Sequence, residues 1–467
     1  MLQEMKHTFE KARFNEKRLF YDAGHTRSYE FRRSQLEKLR TALSKFTDEI
    51  NDALYKDLHK SPMESFMTET SVVDSELKHS LKNLKLWMSP DKQTVPLSLE
   101  PSSCIIQHEP KGVVLIISPW NYPVMLGLAP LIGAIAAGNT VVLKPSEEAP
   151  ASANILEKII ESCFDPNYIS VVQGAGHEVV PMLMDEYTFN HVFFTGSTKV
   201  GKIIAKKAAE KLTGTTLELG GKSPAVIDET AHLKVSAQRI IWGKLMNAGQ
   251  TCVSPDYLLV ESKIKNQLIQ ELVKAIESTY GPAPENSDDY PRMINEKHFD
   301  RVSGYLQNGK VIYGGKTDKN SLYIQPTLLD EVDLDSPVMQ DEIFGPVLPI
   351  ISFSSNDEIV RTIHQNRYPL ACYYFGKNKT REELVMRQTE FGGGCVNNTL
   401  VHLGNPDLPF GGVQYSGSGQ YHGWHGFECF SHKKSIVKTA TWIDPPMKYA
   451  PFTKSKFKFL KNILKLS

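Results

Sequence analysis

The chain has 467 residues and a mass of 52.5 kDa, enough for two to four structural units at roughly 100–200 residues each. Its 41% hydrophobic and 23% charged residues provide a large core and exclude disorder as the main theme. Basic and acidic residues balance at 53 each, which excludes a chain-wide polyanion binder; no nucleic-acid partner is expected.

The N-terminus, Met1 to Phe14, is charged from Glu4 onward and has no apolar h-region, so a cytoplasmic setting is expected. Residues 1–60 read as helices, because Leu36, Leu39, Leu43, Phe46, Ile50 and Leu54 recur at three- and four-residue spacing and form one inward stripe. Between Lys111 and Lys144 no residue is charged, a stretch long enough to span a bilayer. Pro119, Asn121, Pro123, Pro130, Gly138 and Asn139 divide it instead into a buried strand (112–117), a loop (118–123), an apolar helix (124–137) and a second buried strand (140–143). Further strands are expected at 169–172, 191–194, 215–219, 224–227 and 257–260, with helical stretches filling most of the gaps. This βαβα rhythm predicts an α/β fold of doubly wound parallel layers, covered on both faces. The six cysteines, at 104, 163, 252, 372, 395 and 429, share no CxxC spacing, which argues against a disulfide scaffold or a structural zinc site.

Residues 447–467 contain six lysines and no acid, which leaves residues 1–446 with a net charge of −6. On a helix Phe457, Leu460, Ile463 and Leu464 share one side; Lys458, Lys461 and Lys465 share the other, with Lys456 an exception. Such a tail suits the surface of an anionic membrane; the plainer readings are a solvated tail or a strap on a neighbouring subunit.

Two stretches come close to a phosphate-cradling P-loop. Gly196-Ser-Thr-Lys-Val-Gly201-Lys202 is followed by Ile203, which has no hydroxyl for a metal, and Gly221-Lys222-Ser223 has Thr216 where the first glycine belongs. A full GxGxxG is also absent. What remains is a strand running into Thr195-Gly196-Ser197 and then a helix, whose N-terminus suits a pyrophosphate.

The sharpest chemical segment is Asn247-Ala248-Gly249-Gln250-Thr251-Cys252, which places a cysteine at the end of a helical stretch with exposed backbone. A lone cysteine is most often an inert small hydrophobe. Here it is accompanied by PWNYP (119–123), with the amide of Asn121 just after a strand. LELGGKSP (217–224) puts Glu218 at a strand end, and EIFGP (342–346) puts Glu342 in a Gly-Pro turn.

In combination these blocks resemble the aldehyde dehydrogenase superfamily, over residues 30–440. The short N-terminus and LPFGGV…SGSGQYHG (408–423) look like its class 3 branch, which includes fatty aldehyde dehydrogenases. Ser254 stands where Ala is usual, and Gln414 follows Gly-Gly-Val where Gly is usual, which bears on the local loop shape. The resemblance implies two Rossmann-like domains and a small β bridging element. The cofactor-binding domain would take 1–88 and 111–217, the catalytic domain 218–412, the bridge 89–110 and 413–445, and the basic tail 446–467. It implies a homodimer formed by β-strand addition. The implied reaction is oxidation of a medium- or long-chain aliphatic, aromatic or terpenoid aldehyde, with NAD as cofactor and NADP use left open. Cys252 would be the nucleophile and Asn121 the oxyanion donor, with Glu218 activating water against a thioester. A free thiol titrates near about 8.5, so the site should lower that value or supply a base. Lys144 and Glu147 match contacts to the adenosine ribose, Gly196 and Ser197 contacts to the pyrophosphate, Glu342 a contact to the nicotinamide ribose, and Phe344 packs nearby. No metal is implied, and His402, His422, His425 and His432 lack ligand spacing with acids. Release of the acyl group to coenzyme A, thiol-ester hydrolysis without redox, and a binding role are the competing readings; retention of Glu218 favours water. The Lys- and Ile-rich composition looks bacterial, and the tail suits a peripheral position at the inner face of a membrane.

Overall fold

The computed structural model describes residues 10–463; the expectations for residues 1–9 and for Leu464 and Lys465 lie outside the described residues. The N-terminal segment is helical, with helices Phe14–Asp22, Tyr29–Lys45, Thr47–Leu58 and Ser71–Trp87. All six apolar positions of the predicted stripe are buried in one core. Ser28 caps the second helix by accepting a hydrogen bond from the Phe31 amide at 3.1 Å.

Two large sheets follow. The first has six strands in the order Gly417–Ser418, Gly214–Glu218, His191–Thr195, Val113–Ile117, Thr140–Lys144, Ile169–Val171, parallel except for the short first one. The chain order reverses between Val113–Ile117 and His191–Thr195, which makes the crevice outside their carboxyl ends the place where such sheets bind ligands. The second has seven strands in the order Lys310–Tyr313, Thr327–Asp330, Val347–Phe353, Tyr257–Glu261, Pro224–Ile227, Ala371–Phe375, Gly393–Val396. Only its Lys310–Tyr313 edge is antiparallel. The expected strands up to residue 260 agree with these bounds to within one or two residues. The strands after residue 261 are less legible in sequence, because their apolar runs are short and two of them are interrupted, by Pro349 and by Gly393-Gly394.

A third sheet has three antiparallel strands: Asp91–Gln93, Ser102–Pro110 and Ser431–Thr439. The outer edge of Ser431–Thr439 has no partner strand among the described residues.

The uncharged stretch resolves as expected. Val113–Ile117 is wholly buried, and Pro123–Ala137 is a helix buried at every position but Met125. Gly138 ends this helix in the left-handed conformation, φ 91°. No helix among the described residues is long and apolar enough to cross a membrane. The helix is covered by protein instead, including Gly423–Cys429. At that crossing a methyl on Gly133 would lie 2.9 Å from the Gly426 backbone. Gly133→Ala is therefore expected to destabilise the fold by about 1–3 kcal/mol, despite the better helix propensity of Ala. Denaturant midpoints of the two proteins measure it.

Candidate active site

Leu217 to Pro224 carries the chain from one sheet to the other. Glu218 is the last residue of a strand in the first, and Pro224 begins a strand in the second. The crossing is tight: a side chain on Gly220 would run into the Glu342 carboxyl, and one on Gly221 would meet Pro369 and Leu370 at 2.9 Å. Lys222 is buried here and donates to Asp256 Oδ2 at 2.6 Å, Val338 O at 2.6 Å and Asp341 O at 2.9 Å. Asp256 Oδ1 accepts from the Ile343 amide at 3.1 Å. This buried ion pair thus holds the loop bearing Glu342 and Phe344 against the crossing.

Cys252 does not end a helix, as the sequence had suggested. The helix Leu233–Leu245 stops, and Asn247, Ala248 and Gly249 are left-handed, with φ 52°, 52° and 79°. Nor is the backbone exposed, for residues 243–251 are all buried. Three consecutive left-handed residues end any helix, so the chain doubles back into a turn closed by Ser254 N to Thr251 O at 2.9 Å. Asn247 N donates to Glu64 Oε1 at 2.7 Å, and the Gln250 amide bridges Asn247 O, Arg292 O and Ile294 N.

Asn121 lies across this turn. Its Nδ2 donates to Gln250 O at 3.0 Å, and its own carbonyl accepts from Asn247 Nδ2 at 2.8 Å and Lys60 Nζ at 2.9 Å. The next residue, Tyr122, meets Thr251 Oγ1 at 2.6 Å. Asn121 and the residues just before Cys252 are thereby locked together.

Glu218 is 2% exposed, and neither of its carboxyl oxygens has a hydrogen-bond partner among the described residues. Burial alone holds its carboxyl well above the usual range. Burial also pushes the Cys252 thiol up, and the charges of Glu342 and Glu218 add to this. Both influences act against a lowered thiol, one of the two options open to the sequence. Burial and the Asp256 charge raise Glu342 to about 8. Glu342 Oε1 is likewise unpartnered among the described residues. Phe344 is left-handed, φ 49°, and its ring meets Trp120 edge-on at 5.3 Å.

Four of the expected cofactor contacts, Lys144, Glu147, Gly196 and Ser197, lie at or just past the carboxyl ends of strands Thr140–Lys144 and His191–Thr195 of the first sheet. Lys144 ends a strand and is paired with Glu147, whose other oxygen accepts from Gly176 N at 2.6 Å. Burial raises the Glu147 carboxyl, but the hydrogen bonds from Lys144 and Gly176 outweigh it and the net shift is downward. Ser197 caps the helix Thr198–Glu210, accepting from Val200 N at 3.4 Å, and Gly196 precedes it without a side chain. A helix N-terminus, a residue without Cβ and a carboxylate fixed at a strand end fit the pyrophosphate and ribose of a dinucleotide.

Other expectations fall outside this cluster. His402 and His422 are lowered to about 4, His402 by burial and His422 by burial and the neighbouring His402 charge. No group of three or more metal-type side chains forms among the described residues. Gln414 takes the left-handed conformation, φ 55°, which glycine would adopt more readily. Ser254 is buried, with its hydroxyl 3.4 Å from Lys244 O. Sequence reasoning missed Lys60, Glu64 and Glu69, which look like solvated charges beside Ser61-Pro62. Asn247-Ala248-Gly249 did carry a signal, since Asn and Gly favour left-handed turns.

Burial raises Glu64 from 4.5 to about 7, although Lys60 pulls it down. The folded state therefore binds this proton more tightly than the unfolded one, and its stabilising effect is lost as pH rises from about 4.5 to 7. Glu64→Gln cannot titrate, so its stability relative to the parent should rise across that window. Paired denaturation curves at pH 5 and pH 8 measure it.

Residues 6–436 match the aldehyde dehydrogenase family. A Staphylococcus aureus 4,4'-diaponeurosporen-aldehyde dehydrogenase is 44% identical over 97% of this chain and 98% of its own. A rat dimeric, NADP-preferring aldehyde dehydrogenase is 44% identical over 89% and 92%. A substrate-bound structure of Staphylococcus aureus AldH superposes with a TM-score of 0.94 at 44% identity, covering 97% and 98%.

Proposed function

The chain belongs to the aldehyde dehydrogenase family and oxidises an aldehyde to the acid with NAD(P), and we propose that Cys252, Asn121 and Glu218 carry that reaction. The observation that carries this reading is the buried turn leading into the half-buried Cys252, tied to Asn121 and lying within the field of an unpartnered Glu218. The Cys252 thiol gives its proton to Glu218, which releases it to solvent before the hydrolytic step, and the resulting thiolate bonds to the aldehyde carbon. Asn121 Nδ2 has a second N–H beyond the one given to Gln250, and with the Cys252 amide it holds the oxyanion. Cys252 would keep the acyl group as a thioester once hydride has left the adduct, for which a nicotinamide dinucleotide, when bound, would supply the acceptor. Glu218 then takes a proton from water, the new hydroxyl bonds to the acyl carbon, and the C–S bond breaks to release the acid. A carboxylate deprived of hydrogen bonds is a stronger base, which suits this step.

Lys144 and Glu147 would hold the adenosine ribose, Gly196 and Ser197 the pyrophosphate, and Glu342, beside Phe344, the nicotinamide ribose. A carboxylate at the ribose favours NAD over NADP. The cofactor unit would comprise 1–88 and 111–217, the catalytic unit 218–412, and the bridge 89–110 and 413–445. The open edge of Ser431–Thr439 supports pairing with a second copy into a homodimer. The substrate would be a medium- or long-chain, aromatic or terpenoid aldehyde; the name of the Staphylococcus aureus relative supports the terpenoid class.

Cys252→Ala is expected to abolish turnover while cofactor titration is unchanged; undiminished turnover would remove Cys252 from the reaction. Glu218→Gln should keep a burst of one equivalent of reduced cofactor and lose about 100-fold or more in steady-state rate. Rates that rise along an aldehyde series from acetaldehyde to hexadecanal would favour lipid-derived substrates.

The tail also supports contact with an anionic membrane. Helix Lys454–Ile463 exposes Phe457 and Phe459 together with Lys454, Lys458 and Lys461. The side chain of Ile463, like Leu464 and Lys465, lies outside the described residues. At about 1 kcal/mol per lysine near such a surface, removing 447–467 should abolish cosedimentation with phosphatidylserine vesicles. Undiminished cosedimentation would count against the tail.

A further inference from the structure

Lys60 and Glu69 form an ion pair at 2.8 Å with both side chains fully buried. Neither belongs to the set of nucleophile, oxyanion donor and base. Charges removed from water are costly to hold, so what the pair touches is informative. Lys60 Nζ also donates to Asn121 O at 2.9 Å and sits 4.0 Å from the centre of the Tyr122 ring. The second oxygen of Glu69 accepts from Val124 N at 3.0 Å and Met125 N at 2.9 Å, in the first turn of helix Pro123–Ala137. The pair therefore grips the chain at Asn121 and again three and four residues later. On its other side Asn121 is tied to the Cys252 turn through Gln250 O and Asn247 Nδ2.

We propose that Lys60 and Glu69 are positioning residues of the oxyanion site, which act on the reaction by fixing Asn121 relative to Cys252. This rests on the assignment of Asn121 as oxyanion donor. A charge-assisted clamp suits that task, because a donor must meet the oxyanion at hydrogen-bond distance and the loop 118–122 has no regular secondary structure of its own to hold it. The N-terminal segment thereby enters the chemistry without touching substrate.

The test is a double-mutant cycle on the full-length protein with one aldehyde at saturating cofactor. Lys60→Met alone would leave Glu69 buried and uncompensated, so the paired variant K60M/E69Q is used, with Asn121→Ala and the triple variant. Asn121→Ala is expected to lose about 100–1000-fold in kcat. K60M/E69Q should lose about 10–100-fold in kcat with the KM for cofactor unchanged. The triple variant should be no slower than Asn121→Ala. Full kcat in a folded K60M/E69Q, or losses that multiply in the triple variant, would overturn the positioning role while leaving Asn121 in place. An Asn121→Ala enzyme with full kcat would instead overturn the oxyanion assignment on which the role depends. Should K60M/E69Q not fold, Lys60→Arg replaces it in the same cycle: a kcat loss absent from the Asn121→Ala background supports the clamp, and unchanged or multiplying kcat refutes it.

Discussion

The site depends on one backbone constraint, the run of left-handed residues Asn247, Ala248 and Gly249. For Ala248 that conformation costs roughly 1–2 kcal/mol, and a helix that continued past Leu245 would avoid it. Glu64 engages the Asn247 amide, and the side chains of Asn247 and Gln250 satisfy carbonyls around the turn. Gly249 lies against the Gly345 carbonyl, where any side chain would collide. The strain is local and the interactions that hold it come from distant segments: residue 64, residue 121 and residues 292–294. Such over-determined strain is characteristic of functional sites.

The electrostatics follow from the same burial. Glu64, Glu218 and Glu342 are all raised, and burial is the leading cause for each. Lys222–Asp256 and Lys60–Glu69 are buried ion pairs whose members also hydrogen-bond to backbone groups of neighbouring loops and helices. The two kinds of buried charge have different uses. The paired ones hold loops in place, whereas Glu218, with neither oxygen hydrogen-bonded among the described residues, would move a proton without first breaking a hydrogen bond.

A good deal of this was legible in the chain, and for a definite reason. Strands buried on both faces read as continuous apolar runs, so Val113–Ile117, Thr140–Lys144 and His191–Thr195 announce a covered parallel sheet. Pro123 and Gly138 mark where the apolar helix begins and ends. Cys252, Asn121 and Glu218 stand out because each is a reactive type at the end of a regular element or in a Gly-rich segment. The helix expected to run up to Cys252 failed because periodicity carries no record of a reversal imposed by contacts from elsewhere.

Local pattern by itself determined the layered α/β architecture and singled out Cys252, Asn121 and Glu218 as reactive side chains in short blocks, since those depend on residues close in sequence; the roles assigned to them come from the family resemblance of those blocks. Only the tertiary structure decided which charges meet. Lys60 and Glu69 flank an ordinary Ser-Pro helix start, yet they close on a loop more than fifty residues away. Glu218 has the same composition as any strand-end glutamate, yet it is buried without a partner. Proton affinity and positioning are set by what surrounds a group in space. That environment exists only once residues distant in sequence have packed together and excluded water.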